Sequence, residues 1–223
     1  MKTKLPIGVL VSGSGSNLQS IIDHMESGRL DVVIKVVISN IPEAYALERC
    51  RRHKIPFAVI DHRDFPLRDD FDQQMIHVLQ SQGVELVVMA GFMRILTSCF
   101  LSSFPMRIMN IHPALLPAFP GLHVQRKAVE YGVRFSGCTV HFADDGVDTG
   151  PIIIQSVVPV HEDDDENSLA QRILKEEHKI YPQAIQWYAE GMLEVKGRKV
   201  YLKGAETSDI APQHNPSLMI NMS

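Results

Sequence analysis

The sequence predicts a single α/β domain, a mostly parallel sheet flanked by helices, on three observations. Apolar runs at residues 7–11, 32–38, 57–60, 86–89 and 108–111 have the length and continuity of strands buried on both faces. Segments of helical period separate these runs, the alternation expected of βαβ units. The 223 residues, 45% hydrophobic, are enough for one sizeable core.

The elements follow in order. Leu18, Ile21, Ile22 and Met25 recur at i, i+3, i+4 and i+7, the stripe of a first helix capped near Ser16 or Asn17 and ended by Gly28. A second helix is predicted over 44–53 and a third over 69–82, each followed by a Pro or Gly signal. After Ile111 the pattern changes. HPALLPAFPGLH holds three prolines and a glycine, too irregular for a helix or central strand, and reads as a rigid loop. A helix over 124–131 and strands over 138–142 and 152–160 extend the same sheet. A long amphipathic helix then places Leu169, Ile173, Ile180, Ala184 and Trp187 on one face. Residues 193–202 predict a terminal hairpin, closing a domain over 1–205, and the polar stretch 206–223 is expected to be disordered. No internal repeat is visible.

Composition excludes several classes. With 22 basic against 26 acidic side chains, a net charge of -4 and no basic block longer than Arg51-Arg52, there is no nucleic-acid footprint. No apolar stretch approaches the roughly 20 residues of a membrane span. The amino terminus, MKTKLPIGVLVSGSG, reaches Gly and Ser too soon for a signal peptide and reads as a buried strand. Cys50, Cys99 and Cys138 are odd in number and form no CxxC pair, so reduced thiols and a cytoplasmic location are expected. Small molecules are the expected partners.

Three segments carry candidate chemistry. VLVSGSGSNLQSII sets glycines between a strand and a helix, where backbone N–H groups and the helix dipole suit a phosphate. A dinucleotide fingerprint is disfavoured, because Asn17 and Leu18 stand where its third glycine would fall and no ribose-binding acid follows Ser39-Asn40. Gly13 and Gly15 equally suit a plain tight turn, and Ser16 and Asn17 favour a monophosphate. In MNIHPALLPAFPGLH, Asn110 and His112 lie two apart at the carboxyl end of a buried strand, so both side chains leave one face of the sheet. Such strand ends are where ligands bind in open α/β sheets. An amide donor beside an imidazole suits acyl transfer, the amide stabilising an oxyanion and the histidine handling protons, although a local hydrogen-bonding pair has the same spacing. In DDGVDTGPII, Asp144, Asp145 and Asp148 precede a strand. One carboxylate near His112 would favour its cation, and Asp148, flanked by small residues, is the candidate.

Taken in order, these segments resemble the phosphoribosylglycinamide formyltransferase family, folate-dependent enzymes of purine synthesis, from residue 7 to about residue 202. SGSGSNLQSII is similar to the family's phosphate loop, AGFMRIL to its folate-side strand, NIHPALLPAFPGLH to its catalytic strand and loop, VDTGPII to its aspartate loop and EEHKIYP to its late helix. The resemblance implies a Rossmann-like formyltransferase fold with extra C-terminal strands and a long helix. It implies that Gly15, Ser16, Asn17 and Glu177 bind the substrate, that Arg68, Met93, Arg94, Ile95, Leu96 and Asn110 line the folate site, and that Asn110, His112 and Asp148 are catalytic. Met93, Ile95 and Leu96 also fit ordinary core, and Arg68 a surface partner of Asp69 or Asp72. Ala114 departs from the family, which usually has serine there, and this touches the loop rather than the trio. Thr139 and His141 fit supporting roles, and His141 equally fits a satisfied core histidine.

The implied reaction moves the formyl group of 10-formyltetrahydrofolate, a co-substrate, to the amine of N1-(5-phospho-D-ribosyl)glycinamide, giving the N-formylglycinamide ribonucleotide and tetrahydrofolate on the route to IMP. No metal is expected, because the histidines lack the HExxH pattern of a zinc helix. Formyltetrahydrofolate hydrolase and formyl-methionyl-tRNA synthesis share a similar trio. The chain begins at the first strand and shows no added N-terminal regulatory or basic C-terminal domain, which favours the small phosphorylated acceptor. A non-catalytic folate- or nucleotide-binding module is the alternative from a different class. A monomer and a homodimer both remain open, as does the isomer of the Leu116-Pro117 bond.

Overall fold

The computed structural model describes residues 4–204. The tail expectation, over 206–223, lies outside the described residues. The chain runs β1 Leu5–Val11, α1 Ser16–Glu26, β2 Val32–Ser39, α2 Ala46–Arg52, β3 Phe57–Val59, a 3-10 turn His62–Asp64, α3 Arg68–Ser81, β4 Leu86–Met89, α4 Ser98–Ser103 and β5 Ile108–His112. It continues through α5 Val124–Tyr131, β6 Phe135–Phe142, β7 Ile152–Pro159, α6 Glu166–Ala189, β8 Leu193–Lys196 and β9 Lys199–Leu202. All nine strands form one sheet in the order β3-β2-β1-β4-β5-β6-β7-β9-β8. The first five pair in parallel, whereas β6 is antiparallel to both β5 and β7.

Period-2 alternation sends successive strand residues to two separate cores. Ile7, Val9, Val11, Leu86, Val88, Met109 and Ile111 pack with Leu18 and Ile21 of α1 and Leu169, Ile173 and Ile185 of α6. Leu10, Val87, Met89 and Ile108 pack on the other face with Phe71 and Met75 of α3 and Phe100 of α4. Each such side chain, once buried, contributes roughly 1.5–3 kcal/mol.

Helix α6 is set by its own caps and by a proline. Asp165 and Ser168 form a reciprocal capping box at its start. Pro182 has no N–H to give the carbonyl of His178 one turn back. Ser20 Oγ of α1 donates to that freed carbonyl at 2.9 Å, so the proline supplies a docking point between the two helices. Tyr181 is fully buried, and its hydroxyl lies 2.9 Å from the Met89 carbonyl and 2.8 Å from that of Met109, seating α6 against β4 and β5.

Several local expectations shift. The cap of α1 is Gly15 at φ 68°, with no side-chain cap bond, in place of Ser16 or Asn17. The chain must bend sharply there, and a Cβ on Gly15 would come within 2.7 Å of Ala46 Cβ. The short α4 has no readable periodicity over six residues and was not expected. β6 begins at Phe135, three residues before the expected start. The buried stripe of α6 runs through Tyr181 and Ile185, and Trp187 is half-buried. The Leu116-Pro117 bond is cis.

Residues 114–116 lie against β6 and β7 at Gly137, Thr139 and Gln155, and Gly137 allows the approach, because a Cβ there would collide with the Ser156 carbonyl and meet Leu115 Cδ2 at 2.8 Å. Gly137→Ala is expected to lower stability by roughly 1–3 kcal/mol, the usual cost of overpacking. Chemical denaturation followed by far-UV circular dichroism measures it.

Candidate active site

On β5, Asn110 and His112 share the face of Ile108, whose neighbours belong to α3 and α4. Beyond Ile108 that face opens into a cleft of about 460 Å³ at the carboxyl ends of β4 and β5. Asn110, His112, His141, Asp148, Met93, Arg94, Ile95 and Leu96 all line it.

His112 is 4% exposed, and both ring nitrogens face acceptors. Nε2 lies 2.8 Å from the Phe119 carbonyl, which can only accept, so Nε2 carries a hydrogen. Nδ1 lies 3.3 Å from Asp148 Oδ2. The Asp148 carboxylate thus faces the edge of the ring that the Phe119 carbonyl leaves open. Of the three aspartates in the turn, Asp144 accepts from Gly146 N and Thr149 Oγ1 and so folds its own loop, and Asp145 faces solvent. Asp148, at φ 56°, turns its carboxylate inward, where Oδ2 also accepts from Gly121 N at 2.9 Å.

The β5–β6 register sets His141 opposite Asn110. His141 Nδ1 donates to the Phe142 carbonyl at 2.9 Å. Burial pushes the His141 pKa down, outweighing that bond and the pull of Asp148, so the ring is neutral and its Nε2 is an acceptor. For the same reason the 3.7 Å approach of Nε2 to Asp148 Oδ1 is not read as an ion pair. Asn110 Nδ2 lies 3.3 Å from Nε2, which fixes the donor end of the amide towards His141. A histidine two residues after Thr139 is visible in the sequence; its place beside Asn110 depends on an antiparallel pairing that the sequence does not display.

The other candidate residues divide into two groups. Met93 and Ile95 form an exposed apolar rim at the cleft, 68% and 58% exposed, with Leu96 buried behind them. Arg94 stacks over Phe71 at 5.2 Å. Arg68 does not line the cleft and instead donates to the Ile95 carbonyl at 2.9 Å, bracing the rim from outside. Leu122 and Val147 also line the cleft.

The second group sits on α1 and α6. Asn17 Nδ2 donates to Glu177 Oε2 at 2.8 Å, both residues being buried, and Asn17 Oδ1 has no partner. The adjoining loop is joined to the cleft wall by Ser12, whose N–H donates to the Gly91 carbonyl and whose Oγ accepts from Met93 N. The first-turn N–H groups of α1 receive no side-chain cap. Among the described residues no cluster of three or more ligating side chains is arranged to hold a metal ion. Nor is any described helix long and apolar enough to cross a membrane.

The described residues thus form a nine-stranded α/β sheet with a histidine and an amide at the end of β5 and a carboxylate from the β6–β7 turn facing them, and comparison gives the chain a family. The profile described as formyl transferase matches residues 5–185, and the chain belongs to that family. It is 41% identical over 198 residues to the phosphoribosylglycinamide formyltransferase of Escherichia coli (strain K12), covering 89% of this chain and 93% of that protein. It is 48% identical over 189 residues to the trifunctional purine biosynthetic protein adenosine-3 of Drosophila melanogaster, where the match covers 83% of this chain but only 14% of the relative's length. Among solved structures, glycinamide ribonucleotide transformylase 1 of Symbiobacterium toebii superposes with a TM-score of 0.89 at 50% identity, covering 91% of this chain and 95% of that one.

Glu177 generates a test. Its pKa is raised, first by burial, against the opposing bond from Asn17. An acid with a raised folded-state pKa favours the fold below its unfolded pKa, and that contribution is lost as pH rises through the folded value. Glu177→Gln escapes the loss. Its melting temperature is expected to exceed that of the wild type by a few degrees at pH 8, with the gap closing towards pH 4, in differential scanning calorimetry.

Proposed function

We propose that this chain transfers the formyl group of 10-formyltetrahydrofolate to the amine of N1-(5-phospho-D-ribosyl)glycinamide. The observation that carries this reading is the His112 ring, held between the Phe119 carbonyl and Asp148, with the Asn110 amide beside it in the cleft. The similarity to the Escherichia coli enzyme over nearly the whole of both chains supports the choice of acceptor.

The acceptor amine attacks the formyl carbon, forming a C–N bond and an oxyanion. Asn110 Nδ2 donates to that oxyanion, and the His112 imidazolium, its Nε2 on the Phe119 carbonyl and its Nδ1 facing Asp148, stabilises it by its charge. Asp148 balances the imidazolium and orders a water that carries the proton from the attacking amine to the folate nitrogen as its bond to the formyl carbon breaks. Met93, Ile95 and Leu96 give the folate ring system an apolar seat, the Arg94 guanidinium faces its carboxylate tail, and Arg68 braces the rim through the Ile95 carbonyl. The N-terminus of α1, opened by Gly15 with Ser16 and Asn17 in its first turn, receives the ribonucleotide phosphate. Glu177 and the unpartnered Asn17 oxygen receive donors from the same ligand. The reaction runs in the cytoplasm, in keeping with the free thiols of Cys50, Cys99 and Cys138.

Initial rates of folate turnover with and without the ribonucleotide test the proposal. Turnover is expected only with the acceptor, and His112→Ala is expected to lower kcat by about 10²–10⁴-fold, the usual contribution of a positioned acid. Turnover without acceptor would establish the hydrolase instead. The wild-type rate is expected to be unchanged in excess EDTA, and its loss would contradict a metal-free site.

A further inference from the structure

His112, Thr139 and Gln155 lie in a row across three strands: Thr139 is paired with His112 in the β5–β6 ladder and with Gln155 in the β6–β7 ladder. Thr139 is fully buried, with Gln155 outside it on the solvent side. The Thr139 hydroxyl is saturated. It donates to the Ala114 carbonyl at 2.7 Å and accepts from Leu116 N at 3.1 Å and from Gln155 Nε2 at 2.9 Å. Gln155 Nε2 spends its second hydrogen on the Leu116 carbonyl at 3.0 Å. Backbone groups of Ala114 and Leu116 are thus pinned to the sheet from below.

The pinned segment leads directly to the groups that hold the reacting residues. Phe119 offers its carbonyl to His112 Nε2, and Gly121 its N–H to Asp148 Oδ2. Both contacts come from backbone, so their placement depends on where the loop is anchored rather than on its side chains. We propose that Thr139 and Gln155 are positioning residues for formyl transfer, holding residues 114–116 so that the Phe119 carbonyl and the Gly121 N–H orient the imidazole and the carboxylate. The inference rests on the reading of His112 given above.

The test is a kinetic cycle on the full chain with 10-formyltetrahydrofolate and glycinamide ribonucleotide. Thr139→Val keeps the shape and removes the hydroxyl. It is expected to lower kcat about tenfold to a hundredfold, the scale of a misplaced reacting group, and to leave KM for the ribonucleotide within about twofold, because that ligand is held by α1 and α6. Thr139→Ser restores the rate. In a His112→Ala background Thr139→Val costs less than it does in the wild type, because the part of its effect that passes through the imidazole is already lost. Gln155→Leu, on the solvent side and tolerant of change, repeats the pattern with a smaller loss and decides the matter if Thr139→Val does not fold. A folded Thr139→Val with the wild-type kcat, or a loss repeated in full without His112, would overturn the proposal. Wild-type activity in His112→Ala would instead overturn the functional reading beneath it.

Discussion

The His112 ring is held by acceptors reaching it from two separate loops, and the rest of the site is arranged around that constraint. One is the Phe119 carbonyl from the proline-rich loop, the other the Asp148 carboxylate from the acidic turn. The two loops are joined to each other by the bond from Gly121 N to Asp148 Oδ2. A buried imidazole with one acceptor missing would leave a polar N–H unpaired, at a cost of roughly 1–3 kcal/mol. Each loop thus supplies one neighbour of the ring.

The same division between rigid frame and costly site runs through the fold. The central parallel strands β1, β4 and β5 supply apolar residues to both faces and are well buried, whereas the edge strand β3 is largely exposed. The antiparallel strands β6 and β7 carry polar residues on the cleft side and receive the irregular loop there. Glu177 is the costliest buried group of this frame: a carboxyl buried against α1, disfavoured as an anion, with the amide of Asn17 as its partner. A core selected for stability alone would place an apolar side chain at that position.

Much of the frame was legible because its signal is local. The strand runs, the stripe of α1 and the break after Ile111 each follow from period and turn chemistry within a dozen residues. The features that escaped depend on distant partners. Gly15 displaces Ser16 as cap because α2 crowds it, which is seen only when Ala46 is in place. The placement of His141 and Thr139 opposite Asn110 and His112 is a consequence of the strand reversal at β6. The bond from Arg68 to the Ile95 carbonyl, behind the rim, likewise joins residues 27 apart in the chain.

The central claim, that the Asp148 charge and the His112 ring act as one unit in formyl transfer, is tested most directly by the kcat of Asp148→Asn. The asparagine keeps the size and still accepts from Gly121 N, but it removes the negative charge facing the ring. The account predicts a fall of about 10²–10⁴-fold in kcat with an unchanged circular dichroism spectrum. A folded Asp148→Asn protein that turns over within about twofold of the wild type, well inside one decade or ~1.4 kcal/mol of barrier, would contradict it.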